Sequence, residues 1–227
     1  RNTLSISFLT LIFGFPAPII LALLMNEVKN KYFLKTVQTV TYMPHFISMV
    51  VMCSIILSFV SNNGIINECL RVLGLGTMDF NNDPNYFYPV YVISGIWQGV
   101  GWGSIIYLAA LAGVDPTLYE AATIDGAGRW RKLWHVSIPC IMPTITILLI
   151  MQVGSIMQVG SEKILLLYNP LTYETADVIS TYMYRYGLLN GKYSMGAAVG
   201  VFNSILSILI LATVNGIFRR SSETSLW

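Results

Sequence analysis

The sequence predicts an all-α membrane protein, a polytopic helical bundle with about five spans in this chain. Three observations predict it. Only 11% of the 227 residues are charged, against roughly 25% in soluble domains. Five intervals without an acidic or basic side chain follow one another, at 2–26, 36–67, 84–114, 133–161 and 193–218. Each holds the ~20 residues needed to cross ~30 Å of hydrocarbon. The apolar runs are also continuous rather than alternating. That selects helices over a closed barrel, the two structures that satisfy a backbone in lipid.

The first helix is predicted at 4–25, with Pro16 and Pro18 as kinks tolerated by neighbouring helices. The second is predicted at 40–60, with Pro44 near its start and His45 at the interface. In the following connection, 61–87, Ile65, Ile66, Cys69, Leu70 and Leu73 recur at the spacing of a short amphipathic interfacial helix. The third helix, 88–112, is rich in small residues, among them Gly95, Gly99, Gly101, Gly103 and Ser104, which permit close helix packing. Its Gly99-Val-Gly101-Trp-Gly103 run lacks the spacing and strand context of a nucleotide loop.

The fourth helix is predicted at 139–160. Met-Gln-Val-Gly-Ser occurs there twice, at 151–155 and 157–161. An offset of six is not a helical period, and the repeat implies no role. Connection 161–193 contains Pro170 in a polar setting, a turn or re-entrant piece too short to span. The fifth helix is predicted at 194–217, and the whole chain, 1–227, reads as a single transmembrane domain.

Lys and Arg bias orients the bundle. Lys29, Lys31, Lys35, Arg129, Arg131, Lys132, Arg219 and Arg220 fall on one side, eight in all. Arg1, Arg71, Lys163, Arg185 and Lys192, five, fall on the other. The richer side is expected to be cytoplasmic, with the C-terminus. Arg1 is then outside, and at least one further span is inferred upstream.

Composition also excludes function classes. A net charge of +2 makes no nucleic-acid surface. Cys53, Cys69 and Cys140 form no CxxC pair, and two histidines build no His-rich metal site. No GxxxxGK[ST] phosphate loop is present. A secondary transporter would usually carry an acid or base at mid-span, and none is visible in the predicted spans. An intramembrane enzyme would need a catalytic constellation, which neither His45 nor His135 has companions to form.

Connection 113–139 carries the most information. Asp115 and Pro116 read as an N-cap and first helical residue. Glu120, Ala121 and Ala122 continue that helix; Gly126 and Gly128 end it. Arg129–Val136 reads as a second short helix stopped before Pro139. Tyr119, Trp130, Leu133 and Trp134 are large apolar knobs suited to another protein's groove. Packing of the loop on its own bundle is the competing reading.

Glu120-Ala-Ala, three residues, Gly126, nine residues, then Val136-x-Ile138-Pro139 resembles the EAA loop of binding-protein-dependent ABC importer permeases. Its pattern is EAA-x3-G-x9-I-x-LP, with Val136 and Ile138 as conservative replacements. Phe13-Gly-Phe-Pro-Ala-Pro18, Tyr42-Met-Pro-His-Phe-Ile47, Gly95–Gly103 and Leu167-Tyr-Asn-Pro170 resemble the LplB-type carbohydrate-uptake branch, which is similar to the larger maltose-importer permeases. The resemblance implies a fold of the type I ABC importer kind. It also implies a second, homologous permease subunit, forming a heterodimer. Two ATPase subunits would carry ATP and Mg, with no cofactor in this chain. An extracellular solute-binding lipoprotein would deliver an oligosaccharide across a bacterial inner membrane. Glu120, Ala121, Ala122, Asp125, Gly126, Arg129 and Pro139 are then the coupling residues. A permease for amino acids or peptides would share the loop; only the resemblance outside it favours carbohydrate.

A sugar path needs hydroxyl and amide groups with aromatic faces. Within the predicted spans, Tyr42, Trp97, Gln98, Trp102, Gln152, Ser155, Gln158 and Asn203 are the candidates. Helix–helix hydrogen bonding is the alternative use of each amide and hydroxyl, and interfacial anchoring that of each Trp.

Overall fold

In the computed structural model, residues 1–221 are described, and among them there is no strand. The helices are α1 (Asn2–Asn26), α2 (Lys31–Tyr42), α3 (Met49–Phe59), α4 (Ile65–Val72) and α5 (Pro84–Ala112). They continue as α6 (Pro116–Ile124), α7 (Arg129–Gly154), α8 (Ser161–Leu167), α9 (Tyr173–Ala176), α10 (Ile179–Tyr182) and α11 (Tyr193–Ser221). Helices α1, α5, α7 and the Tyr193–Phe218 part of α11 are each long and apolar enough to cross a membrane. Residues 222–227 of the predicted C-terminal tail lie outside the described residues, as do the side chains of Arg219 and Arg220.

Proline placement explains the local irregularities. Thr10–Gly14 forms a π-helical turn just before Pro16, and Leu133–Ser137 forms another just before Pro139. A proline has no N–H for the carbonyl four residues back, and the widened turn relieves that mismatch. The expected stop before Pro139 is therefore wrong: the helix continues through it, as one helix from Arg129 to Gly154.

The predicted second span is also corrected. It is bent by 105° between the segments Lys31–Phe46 and Met49–Phe59. Met43–Phe46 tightens into a 3₁₀ turn, Ile47 is extended, and the Ser48 side chain caps α3 by accepting from Val51 N–H at 3.4 Å. His45 stacks on Trp102 at 4.6 Å, with Phe46 edge-on to the same ring. Gly101 lets the bent chain approach, because a β-carbon there would overlap the Thr41 carbonyl. Gly103 does the same for Pro18, whose Cγ would lie 3.0 Å from such a carbon.

Two apolar clusters mark the two ends of the bundle. Ala22, Leu23, Tyr107, Leu111 and Ile141 join α1, α5 and α7 beside the loops 27–30 and 113–128. Ile6, Met52, Phe87, Ile164 and Val178 gather at the opposite end. There, Asn67 is fully buried and bonds Ser61 O, Met78 O and Met78 N–H at 2.8–2.9 Å. Helix α4 forms as expected, but it buries this amide and turns Ile65 and Leu73 outward. Asn169 reaches Asn81 O at 2.8 Å, and Arg185 pairs with Asp177 at 2.5 Å. The bent α2–α3 pair begins four residues after α1 and ends near Asn81, which donates to Leu57 O at 3.4 Å. It therefore runs from one end of the bundle to the other as a broken crossing.

Candidate functional site

The loop between α5 and α7 is built as a projecting hairpin. Asp115 caps α6 by accepting from Thr117 N–H at 2.9 Å, and those hydrogen bonds hold its carboxyl below the usual 3.8. Gly126 ends α6 at φ +74, the left-handed conformation that favours glycine. Around it, Gly126 N–H donates to Thr123 O at 3.0 Å, and Ala127 N–H to Ala122 O at 2.8 Å. Lys132 Nζ donates to Thr123 Oγ1 at 2.7 Å, and the Tyr119 hydroxyl meets Ser137 Oγ at 3.0 Å. The hairpin is thus tied internally while its outer face stays free. Glu120, Ala121, Asp125 and Arg129 are exposed, and Ala122 is half-buried. Ile124 is 86% exposed and Trp130 74%. Pro139 is exposed on α7, away from the hairpin tip.

A second site lies in the bundle interior. The predicted helix to residue 160 stops at Gly154. Gly154 and Ser155 weaken the helix, and the Leu211 side chain of α11 leaves 2.6 Å for a β-carbon on Gly154. Gly154 is only about 20 Å along α7 from Ile141 in the end cluster. The chain therefore unwinds at 155–160 inside the bundle, where Val159 packs on the opposite end cluster, and resumes as α8. The second Met-Gln-Val-Gly-Ser copy falls on this break.

Irregular backbone at membrane depth is tolerated only where protein satisfies it or a wet cavity adjoins it. Protein groups satisfy the break, and a cavity adjoins it. Ser7 donates to Ile156 O, Asn203 to Met157 O at 3.3 Å, and Ser180 to Val159 O at 3.0 Å. The break borders a cavity of about 130 Å³ with Thr10, Gln152, Ser155 and Gln158 in its wall. A larger cavity of about 660 Å³ shares Thr10, Tyr91, Gln152 and Ser155 and adds Gln98 and Lys163. That volume is within the ordinary range of ligand sites.

Of the eight predicted path residues, the structure brings Gln98, Gln152, Ser155 and Gln158 to these cavities. It does not bring Tyr42, Trp97, Trp102 or Asn203 there. Tyr42 ends α2 at the bend, Trp97 is 40% exposed on α5, and Trp102 stacks with His45. Asn203 supports the break through its amide.

Sequence reasoning missed two residues. Thr10 belongs to the π turn of α1, and its buried Oγ1 has no partner among the described residues. Lys163 was expected in an external connection and is instead 7% exposed inside the bundle. Its Nζ donates to Tyr91 O at 2.7 Å and lies 4.4 Å from the Tyr91 ring centre. A β-carbon on Gly95 would lie 3.1 Å from it. The lysine lies outside the predicted spans yet faces the bundle interior. The signal was available: Lys163, Ile164 and Leu167 share the buried stripe of α8.

The family of binding-protein-dependent transport system inner membrane components matches residues 14–223, nearly the whole chain. The chain belongs to this family. It is similar to protein LplB of Bacillus subtilis (strain 168), 42% identical over 228 residues, spanning 100% of this chain and 72% of LplB. The polygalacturonan/rhamnogalacturonan permease YteP of the same organism is 41% identical, spanning 100% of this chain and 71% of that one. A solved bacterial ABC transporter that imports the acidic polysaccharide alginate contains a chain of the same fold. Its TM-score is 0.93 and its identity 47%, over 96% of this chain and 77% of that chain. A structure of bacterial alginate transporter bound to a pentasaccharide-loaded periplasmic protein gives TM-score 0.96 and 46% identity, over 99% and 78% of the two chains. The chain is thus a membrane component of a binding-protein-dependent importer and not the catalytic subunit.

Proposed function

We propose that this chain is the permease subunit of an ATP-driven importer of oligosaccharides. The observation that carries the proposal is the pairing of two sites in one bundle. A projecting hairpin at one end suits a groove on a partner, and a mostly apolar cavity in the interior, with Gln98, Gln152 and Ser155 in its wall, suits the faces and hydroxyls of a sugar. The names of relatives from polygalacturonan/rhamnogalacturonan, arabinooligosaccharide and alginate systems support carbohydrate over amino acids or peptides.

In this reading a second, homologous permease completes the path, and an extracellular solute-binding lipoprotein loads it. Two ATPase subunits bind ATP and Mg beneath the hairpin of residues 113–139. Glu120, Ala121, Ala122, Asp125, Gly126 and Arg129 form the docking surface, while Pro139 sets the helix behind it. The hairpin and the C-terminus face the cytoplasm, in keeping with the eight-to-five Lys and Arg bias. Closing of the ATPases moves α6, and α7 conveys that motion to the break at 155–160. Gln98, Gln152, Ser155 and Gln158 supply donors and acceptors for sugar hydroxyls.

The test is reconstitution of the assembled transporter in proteoliposomes with its binding protein. Oligosaccharide-loaded binding protein is expected to stimulate ATP hydrolysis and uptake together. Stimulation by amino acids or peptides in place of glycans would overturn the reading.

A further inference from the structure

Lys163 is the charged group that the central cavity holds in its wall, and no carboxylate among the described residues pairs with it. Glu162, beside it in sequence, is exposed on another face of α8. The Tyr91 carbonyl and ring face supply partial negative charge only. An ammonium group has three donors, and the Tyr91 carbonyl occupies one of them.

The depth makes this costly. The amine rests between Tyr91, which packs on the end cluster, and Gly95, about 4.5 Å of helical rise from Gln98 at the midpoint of α5. A charge near the centre of a membrane protein is expensive and marks a functional path when it faces a cavity. Bonding one helix carbonyl does not call for a cation; a serine or glutamine would do it without the cost of burying charge. The local design also favours access over neutralisation. Gly95 removes the side chain that would crowd the amine, and Gln98, Gln152 and Ser155 share the cavity wall with it.

We infer that Lys163 is the carboxylate-binding point of the transport path and that the imported glycan is acidic. The inference rests on the oligosaccharide reading and deepens it. Neutral amides and hydroxyls bind the hydroxyl groups of each sugar, while Lys163 pairs with the carboxylate of a uronic acid. The substrate supplies the missing counter-charge, so a neutral sugar entering the same cavity leaves the amine unpaired. This gives discrimination by charge inside the membrane, after delivery.

The experiment uses the assembled transporter with its binding protein in proteoliposomes. The test sugars are oligogalacturonates and oligomannuronates, each beside its carboxyl-reduced counterpart. The wild type is expected to import an oligouronate and to prefer it to the reduced form. Lys163→Met is expected to lower oligouronate uptake about tenfold or more, as loss of a charged hydrogen bond implies, and to leave uptake of the reduced form unchanged. Lys163→Arg is expected to retain part of the uptake. Equal loss of both sugars in correctly assembled Lys163→Met, with a lowered melting temperature, would show that the lysine only braces Tyr91 and overturn the inference. Equal import of acidic and reduced sugars by the wild type would overturn it too, while leaving the oligosaccharide reading intact. Import of no glycan would overturn both.

Discussion

Gly101 of α5 lies directly against the backbone of Thr41, with no room for a β-carbon between them. The contact fixes where the second crossing bends, because Thr41 precedes the 3₁₀ turn by two residues. Backbone, unlike a side chain, cannot rotate away. Gly101→Ala is expected to destabilise the chain by ~1–3 kcal/mol, the ordinary cost of overpacking. Gly99→Ala, on the same helix with open space around it, is the control and should be nearly neutral. Thermal unfolding of the purified permease in detergent, followed by loss of monodispersity, measures both.

The hairpin at 113–128 yields a graded prediction. A β-carbon on Gly126 would touch nothing, so substitution there strains the backbone alone. Gly126→Asn should be tolerated better than Gly126→Val, since asparagine visits positive φ far more readily than a β-branched residue. Sugar uptake should follow the same order. Glu120→Lys alters an exposed side chain and should leave insertion unchanged while weakening ATPase copurification. Charge pairs at interfaces cost ~2–5 kcal/mol to break. Normal copurification and normal stimulated hydrolysis in Glu120→Lys and Gly126→Val together would remove the hairpin from coupling.

Topology has a direct assay. Leu75 is 62% exposed at one end of the bundle and Ile124 86% exposed at the other. In a background without Cys53, Cys69 and Cys140, a membrane-impermeant thiol reagent added to intact cells should label Leu75→Cys. It should reach Ile124→Cys only after the membrane is opened. The reverse order would place the hairpin outside and end its role with cytoplasmic ATPases.

The cap of α6 sets a pH response. Hydrogen bonds from Thr117 lower the Asp115 pKa below 3.8 in the folded state. A lowered carboxylate pKa means that its stabilisation is fully present above the unfolded value and is lost as pH falls through the folded one. Protection of the Thr117 amide against hydrogen exchange should therefore hold near neutral pH and fall as pH drops below 3.8. Asp115→Asn should abolish this acid-dependent step while keeping most of the cap, because asparagine also caps helices.

The straight parts of the fold were legible because the membrane writes them as charge-free intervals. Those intervals predicted α1, α5 and α11 to within a few residues. The hairpin was legible too, since capping residues and glycines act locally. The bend after Tyr42 and the break after Gly154 were not. No charged residue marks either interruption, so the charge-free intervals 36–67 and 133–161 run straight through both. Their causes are distant: Gly101 accommodates one, and Leu211 together with Ser7, Ser180 and Asn203 supports the other. The path residues suffered for the same reason. Trp97 and Trp102 have the right chemistry on a face of α5 that does not line the central cavity. Lys163 was counted as a loop charge because α8 is too short to register as part of a crossing.

The unwound stretch at 155–160 is anchored through the carbonyl oxygens of Ile156, Met157 and Val159. Every amino acid has that oxygen. Replacing Ile156 or Val159, whose side chains border the smaller cavity, leaves those anchors where they are. The contour of the site can therefore be recut by point mutation while its scaffold persists. Lineages of such importers can drift from one glycan to another without first dismantling the fold, provided that Ser7, Ser180 and Asn203 stay.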